Sequence, residues 1–206
     1  MDDFSPAQIA PIMAATVGMG FQLFSDPLTG SLLRTLAASK PRGNFLELGT
    51  GTGLATAWLL SGMDAHSALT TVENDSSVLA VAQTHLGDDP RLLIRCQDAG
   101  QFLSNLDPAT CQFDLIFADT WAGKYTHLDA ALAVLKVGGF YLIDDMLPQP
   151  TWPLGHAPKV AELMAHLAQR QDLHVTRLDW ASGIIIAAKV APKPEHEEVA
   201  HCPFCP

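Results

Sequence analysis

The sequence of 206 residues contains few basic residues. Lysine and arginine together number 12 against 22 aspartates and glutamates, which gives a formal net charge of −10 at pH 7. The basic residues are spread along the chain and form no stripe. Proteins that bind the phosphate backbone of nucleic acids obtain most of their affinity from clustered lysine and arginine. The composition therefore argues against a nucleic-acid partner, and it disfavours attachment to an anionic membrane.

The sequence also lacks a long apolar run and a basic start. No run reaches the roughly 18 residues that a membrane-spanning helix needs. The first residues, MDDFSPAQIAPIM, carry two acids where a secretory signal peptide would be positively charged. We therefore expect a soluble cytoplasmic protein with no membrane partner. A chain of this length can bury a sizeable core as one domain.

Cysteine is scarce, with four residues in the chain. Cys96 and Cys111 lie in apolar, strand-like surroundings that are typical of small core residues. Cys202 and Cys205 form a C-x-x-C motif near two histidines in the final segment EHEEVAHCPFCP, and this motif could offer ligands to a metal. Structural zinc sites usually draw on two ligand pairs that a folded element holds apart. We therefore expect residues 191–206 to form a flexible tail.

Short strand-like runs alternate with helix-like stretches from residue 44 onward. Apolar residues at three-to-four spacing predict helices between most of these runs, including KYTHLDAALAVLK (124–136) between the fourth and the fifth. Such alternation is typical of a doubly wound α/β fold with a mainly parallel sheet. Only WAS separates the last two runs, so we expect the seventh strand to enter antiparallel. The seven runs are NFLEL (44–48), ALTTVE (68–73), RLLIRC (91–96), FDLIFAD (113–119), GFYLID (139–144), LHVTRLD (173–179) and GIIIAAK (183–189).

The first 43 residues are predicted to form a helical cap. Two helices, at roughly 5–15 and 27–39, precede the first strand and are too short to form a core of their own. We expect them to lie across the top of the sheet as part of the same domain, whose main body covers 44–190. The apolar segment AQIAPIMAATV could also pack against a second copy in a homodimer.

The turn after the first strand carries three glycines at alternate positions, Gly49, Gly51 and Gly53. Ligands of open parallel sheets bind outside the carboxyl ends of the strands, and residues without Cβ let a ligand approach the backbone. A pyrophosphate would require exposed amides and no nearby anion. Because Glu47 precedes the turn by two residues, we expect it to lie beside a ligand with a cationic portion.

Two further acids follow the next two strands. Glu73 ends the second strand, 24 positions after Gly49, and this offset suits an acid that accepts hydrogen bonds from ribose hydroxyls. Asp98 comes just after the third strand, where it could accept a hydrogen bond from the amine of an adenine. Together with Glu47, these acids match a ligand that has an ammonium group, a ribose and an adenine but no phosphate. S-adenosylmethionine fits this description.

These motifs resemble those of the class I, seven-stranded S-adenosylmethionine-dependent methyltransferases. LELGTGTG matches the glycine motif of that family, Glu73 matches its ribose-binding acid, and the antiparallel last strand matches its topology. The resemblance covers about residues 27–190. The alternative is a Rossmann-like domain whose glycines only make tight turns. FDLIFADTWAGKY and VGGFYLIDDML resemble, more narrowly, the bacterial relatives of catechol O-methyltransferase.

The narrower resemblance implies a divalent metal site. Carried over by position, Asp119, Asp144 and Asp145 would bind Mg²⁺ or Ca²⁺, which prefer oxygen ligands, and the ion would lower the pKa of the acceptor hydroxyl. The sequence departs from the family because Ala122 stands where a lysine acts as general base, and Lys124 is the nearest lysine. Alternatively, Asp119 contacts only the methionine part of the cofactor, and the other two acids cap a loop.

The loop after the fifth strand carries His156, which could act as a general base near neutral pH or simply cap a helix. Trp121 and Tyr125 could form walls for a flat aromatic acceptor. The sequence thus predicts an S-adenosylmethionine-dependent enzyme that methylates a hydroxyl of a small molecule, with Asp119, Lys124 and His156 as candidate catalytic residues. The alternatives are a metal-independent methyltransferase acting on nitrogen, a carboxylate or a protein side chain, and a non-catalytic cofactor-binding module.

Overall fold

The structure is a computed structural model that describes residues 5–191. Within these residues the strands form one seven-stranded sheet in the order β3-β2-β1-β4-β5-β7-β6, so the order reverses between β1 and β4. The strands are β1 (Asn44–Leu48), β2 (Ala68–Glu73), β3 (Leu92–Cys96), β4 (Phe113–Ala118), β5 (Leu135–Ile143), β6 (Leu173–Leu178) and β7 (Ile184–Lys189).

The strand pairing confirms the predicted topology. The five strands β1 to β5 are parallel, and β7 runs antiparallel to both β5 and β6. Strand β5 begins at Leu135, earlier than predicted, because Leu135 pairs with Phe113 before an irregularity in the β4–β5 register. The length predicted for the helix over residues 124–136 is wrong, because only Leu128–Ala133 is helical.

Helices lie between the strands on both faces of the sheet. Three of them begin with an aspartate that accepts a hydrogen bond from a backbone N–H of the first turn, namely Asp26, Asp75 and Asp98. The helices are α1 (Ile9–Gly18), α2 (Pro27–Ala38), α3 (Leu54–Gly62), α4 (Ser76–Leu86), α5 (Ala99–Ser104), α6 (Leu128–Ala133) and α7 (His156–Ala168).

The core consists of two layers, one on each face of the sheet. Phe45 and Phe117 are fully buried in the layer under α1, α2 and α3. Tyr141 and Ile116 are fully buried in the layer on the other face, which includes side chains from α5, α6 and α7. Cys111 is half-buried and packs against this second layer, whereas Cys96 is exposed at the edge strand β3, so the core position predicted for it is wrong.

The N-terminal helices do not lie across the top of the sheet. Both pack beside it, with α2 against α3 and α1 against α3 and α4. Residues 19–26, which connect them, instead cover the carboxyl edge of the sheet, where Phe21 and Ser25 line a cavity. The division of the chain at residue 43 stays a prediction.

The cysteine pair at 202 and 205, and nearly all of the predicted tail, lie outside the described residues. In residues 5–191, no helix has the combination of length and apolar character that crossing a membrane requires.

Candidate active site

The glycine turn after β1 lies at the carboxyl edge of the sheet, where the strand order reverses. Gly49, Gly51 and Gly53 all have positive φ angles, of 98°, 52° and 96°. A Cβ atom on Gly49 would lie 2.7 Å from the backbone oxygen of Asp119, and one on Gly53 would lie 2.9 Å from Cβ of Ala82. Backbone conformation and close packing therefore both require glycine in this turn.

Two cavities meet at this turn and form one groove. The first is lined by Gly51, Glu73 and Asp119, together with the segment between α1 and α2. The second extends from Glu73 to Asp98 and Gly100. Gly49, Glu73 and Thr120 line both cavities. The groove thus brings together acids that follow β2, β3 and β4, with Glu73 in the middle.

Glu73 holds the turn in its conformation. Its Oε2 accepts a hydrogen bond of 2.9 Å from the N–H of Gly51, and its Oε1 accepts hydrogen bonds from the N–H groups of Asn74 and Asp75. Asp98 lines the groove and also caps α5, since its Oδ1 accepts a hydrogen bond of 2.8 Å from Gln101 N. This capping role was not predicted from the sequence, although an aspartate before a helical pattern is a common signal for it.

Glu47 lies beneath the turn, fully buried, and lines neither cavity. Its Oε2 accepts hydrogen bonds from the hydroxyls of Thr56 and Thr71, while Oε1 has no partner. Burial raises the pKa of Glu47 to about 8, against the smaller lowering effect of the two threonines. The carboxyl group is therefore mainly protonated at pH 7, and its predicted contact with a cationic ligand rests on the sequence alone.

Asp119 pairs with a buried lysine. Its Oδ1 lies 3.4 Å from Nζ of Lys124, and its Oδ2 accepts a hydrogen bond of 3.1 Å from the hydroxyl of Ser25. The Lys124 side chain is only 5% exposed. Burial raises the pKa of Asp119, and the ammonium group of Lys124 opposes this rise.

The three predicted metal ligands are not assembled as a metal site. Asp144 is buried, and its Oδ1 accepts hydrogen bonds from the hydroxyl of Ser182 and from the backbone N–H of Asp145. Within residues 5–191, no three histidine, cysteine, aspartate or glutamate side chains are grouped so that they could hold a metal ion. The predicted metal site of Asp119, Asp144 and Asp145 is therefore not formed in this structure, because hydroxyl, amide and ammonium donors contact the carboxylates of Asp119 and Asp144.

An aromatic cluster lies beside these acids. The hydroxyl of Tyr125 and Nε2 of His156 share a hydrogen bond of 2.8 Å. Trp152 stacks on His156 with ring centroids 4.4 Å apart, and Trp121 meets Tyr125 and His156 edge-on at 5.3 and 5.9 Å. Nδ1 of His156 is buried without a partner. Trp121, Tyr125 and His156 were each predicted separately from the sequence, but their contacts with one another depend on the tertiary fold.

Two pKa shifts keep the central pair of this cluster uncharged. Burial, followed by the effect of Asp145, raises the pKa of Tyr125 to about 12, so its hydroxyl keeps its proton at neutral pH. Burial is also the main reason that the pKa of His156 is lowered, and the nearby Lys124 adds to this effect. The imidazole is therefore neutral at pH 7 and can accept a proton.

The strand order, the antiparallel β7 and the glycine turn define a class I methyltransferase fold. A family model described as "Methyltransferase domain" matches residues 46–146. A Mycobacterium ulcerans protein named "Putative O-methyltransferase" is 36% identical over 186 residues, which cover 85% of this chain and 81% of that protein. The chain therefore belongs to the O-methyltransferase family with this domain.

Two further comparisons extend this result. A protein of Niastella koreensis named catechol O-methyltransferase is 31% identical over 127 residues, which cover 59% of this chain but only 58% of that protein. The crystal structure of the O-methyltransferase TomG from Streptomyces achromogenes, in complex with S-adenosylmethionine, superimposes with a TM-score of 0.79 at 22% identity and covers 93% of this chain and 92% of TomG. At this identity the structural match establishes the fold.

Proposed function

We propose that the protein transfers a methyl group from S-adenosylmethionine to a hydroxyl group of a small-molecule acceptor. The observation that carries this proposal is the groove in which Glu73 lies between the glycine turn and Asp98. Among the described residues that line its two cavities there is no lysine or arginine, which suits a ligand without phosphate. Family membership supports the choice of oxygen as the acceptor atom.

S-adenosylmethionine supplies an activated methyl group on its sulfonium sulfur and leaves as S-adenosylhomocysteine. In this proposal Glu73 accepts hydrogen bonds from the ribose hydroxyls, and Asp98 accepts one from the adenine amine. The turn at Gly49 and Gly51 allows close approach of the cofactor to the backbone. Asp119 lines the first cavity and Asp98 the second, so we propose that Asp119 lies on the side of the methionine part.

The acceptor is proposed to bind next to the aromatic cluster. Its oxygen forms a bond to the methyl carbon while the carbon–sulfur bond breaks, and the electron pair of that bond stays on sulfur. The hydroxyl proton goes to Nε2 of His156 through the hydroxyl of Tyr125, because both groups are neutral at pH 7. Trp121, which is 45% exposed, provides an aromatic wall for a flat acceptor.

A divalent cation is not part of this proposal. The oxygen donors of Asp119, Asp144 and Asp145 are of the kind that Mg²⁺ prefers. The residues as arranged do not fit the ion, however, since Lys124 contacts Asp119 and Ser182 contacts Asp144. The proposed homodimer and the cytoplasmic location likewise stay predictions from the sequence.

Calorimetric titration with S-adenosylhomocysteine tests the cofactor site. We expect Glu73→Ala to weaken binding by about 1.5–3 kcal/mol for each charge-assisted hydrogen bond that is lost. Glu162, an exposed residue of α7, provides the matched control, and Glu162→Ala should bind like the wild type. A folded wild-type protein that does not bind S-adenosylhomocysteine would refute the proposal.

Turnover tests the reaction itself. The wild-type protein is incubated with S-adenosylmethionine and a panel of phenols and catechols, and S-adenosylhomocysteine and the methyl ether are both quantified. We expect the two products in equal amounts. Methylation of amines or carboxylic acids in preference to every hydroxyl compound would contradict oxygen as the acceptor atom.

A further inference from the structure

We propose that the ammonium group of Lys124 takes the place of a divalent cation among Asp119, Asp144 and Asp145, so that the acceptor site works without a bound metal. Lys124 is assigned this role because it contacts Asp119 and because its charge acts on Asp144. The consequence of this role for the acceptor rests on the proposed methyl transfer, and the two parts are tested separately below.

Lys124 is placed as a buried counter-ion. Its side chain is 5% exposed, and Nζ lies 3.4 Å from Oδ1 of Asp119, which is itself 18% exposed. The charge of Lys124 also acts on Asp144. Among the residues that the structure describes, no other lysine or arginine forms an ion pair with any of the three acids. A buried ammonium group needs a charged partner, and gathered carboxylates need a cation, so each satisfies the other.

The backbone before Lys124 directs this side chain inward. Gly123 has a φ angle of 87°, its N–H donates to the carbonyl of Thr126, and its carbonyl accepts a hydrogen bond of 2.6 Å from the hydroxyl of the fully buried Tyr141. A Cβ atom on Gly123 would lie 2.8 Å from both Leu48 Cδ1 and the Tyr141 hydroxyl. The hydrogen bond from Tyr141 and the close packing around Gly123 therefore fix the turn, and with it the position of Lys124.

Ala122, at the start of this turn, contributes no charge to it. It is buried and carries only a methyl group, so it presents no charge to the acids. The positive charge of this turn comes instead from Lys124, two residues further along. A dication would have to approach Asp119 against the ammonium group that already contacts it, and it would have to displace the Ser182 hydroxyl from Asp144.

A site with an ammonium group in place of a metal ion should bind a different class of acceptor. An octahedral Mg²⁺ ion can hold two oxygens of one molecule, which favours adjacent hydroxyl groups. An ammonium group is a compact point charge with three N–H donors, and one of these points to Asp119. It can therefore orient a single acceptor oxygen. The acceptor class that follows is an aromatic compound with one hydroxyl group, bound without chelation.

Binding of Mn²⁺ to the protein in the absence of cofactor tests the cation claim. Free Mn²⁺ is measured by electron paramagnetic resonance during a titration of the folded protein. We expect no stoichiometric binding by the wild type at sub-millimolar Mn²⁺. We expect one bound equivalent in Lys124→Met, because the substitution frees the carboxylates, and loss of that binding when Asp144→Asn is added.

Lys136 provides the matched control. Its Nζ lies 2.8 Å from Asp114 in an ion pair at the beginning of β4 and β5, whereas Asp119, Asp144 and Asp145 follow the other ends of these strands, so Lys136→Met should not gain a Mn²⁺ site. Lys124→Gln repeats the test with a smaller loss of polarity if Lys124→Met does not fold. One equivalent bound by the wild type and lost in Asp144→Asn would overturn the proposal, and so would folded Lys124 variants that bind no Mn²⁺.

Turnover tests the acceptor consequence. With the wild type we expect equal rates with and without a chelator, and we expect a phenol to be methylated at least as fast as the matching catechol. A rate that falls at least tenfold with the chelator, or a strict need for two adjacent hydroxyls, would overturn the inference. Absence of any turnover would refute the methyl-transfer proposal instead, and the Mn²⁺ result would still decide the role of Lys124.

Discussion

The buried carboxyl group of Glu47 should make the stability of the protein depend on pH. Because burial raises its pKa in the folded state to about 8 from 4.5, the folded protein holds this proton more tightly than the unfolded chain does. The resulting stabilisation is fully present below pH 4.5 and is lost as the pH rises through 8. Its full size is about 5 kcal/mol, since each unit of pKa shift corresponds to about 1.4 kcal/mol.

The substitution Glu47→Gln removes this proton equilibrium and keeps an oxygen that can accept the hydrogen bonds of Thr56 and Thr71. Between pH 5 and pH 7, the free energy of unfolding should fall by about 2–3 kcal/mol more in the wild type than in Glu47→Gln. Titrating groups that do not interact with Glu47 affect both proteins equally, and the charges of Asp119 and Glu73 act on it less than burial does, so the difference between the two curves comes mainly from Glu47.

Urea denaturation at pH 5, 6, 7 and 8 measures this difference. Glu162→Gln, at an exposed position of α7, serves as the control and should follow the wild type at every pH. If the curves of the wild type and Glu47→Gln run parallel over this range, the carboxyl group is already ionised in the folded protein and the reasoning fails.

Two further predictions concern the groove and the aromatic cluster. Gly51→Val should abolish binding of S-adenosylhomocysteine in calorimetry, because the residue has a φ angle of 52° and its Cβ atom would meet Phe21 at 3.4 Å; retained affinity in a folded variant would contradict this. Tyr125→Phe should lower kcat on the order of 100-fold with a smaller effect on KM, because it removes the link to His156. Since the pKa of His156 is lowered, the acid limb of the wild-type kcat profile should lie below pH 6.5, and a limb above that value would exclude His156 as the proton acceptor.

The strand pattern and the glycine turn could be predicted because both are local signals. The runs at 44–48 and 68–73 have the predicted bounds, since strand-like residues and flanking turns determine them over a few positions. Glycines at alternate positions after a strand likewise indicate positive φ angles without reference to the rest of the chain. The antiparallel last strand followed from the length of one connection.

Other features depend on contacts between distant parts of the chain. The turn that carries Lys124 is bound by the hydroxyl of Tyr141, which donates to the carbonyl of Gly123, and nothing in the motif around Lys124 reveals that contact. The Tyr125–His156 pair joins the loop after β4 to the first residue of α7. The burial of Glu47 under the turn also depends on Thr56 and Thr71, which donate to its carboxyl group and are not part of the motif that precedes the glycines.

The hydrogen bond between Ser25 and Asp119 has a kinetic consequence. It ties the segment between α1 and α2 to the end of β4, and Phe21 of the same segment lies against the glycine turn. Because the segment forms one wall of the cavity, we expect a molecule of the size of S-adenosylhomocysteine to leave faster when the segment is detached. We therefore expect residues 19–26 to determine how fast S-adenosylhomocysteine is released. Their opening would then limit the maximal turnover rate, although they take no part in the chemical step.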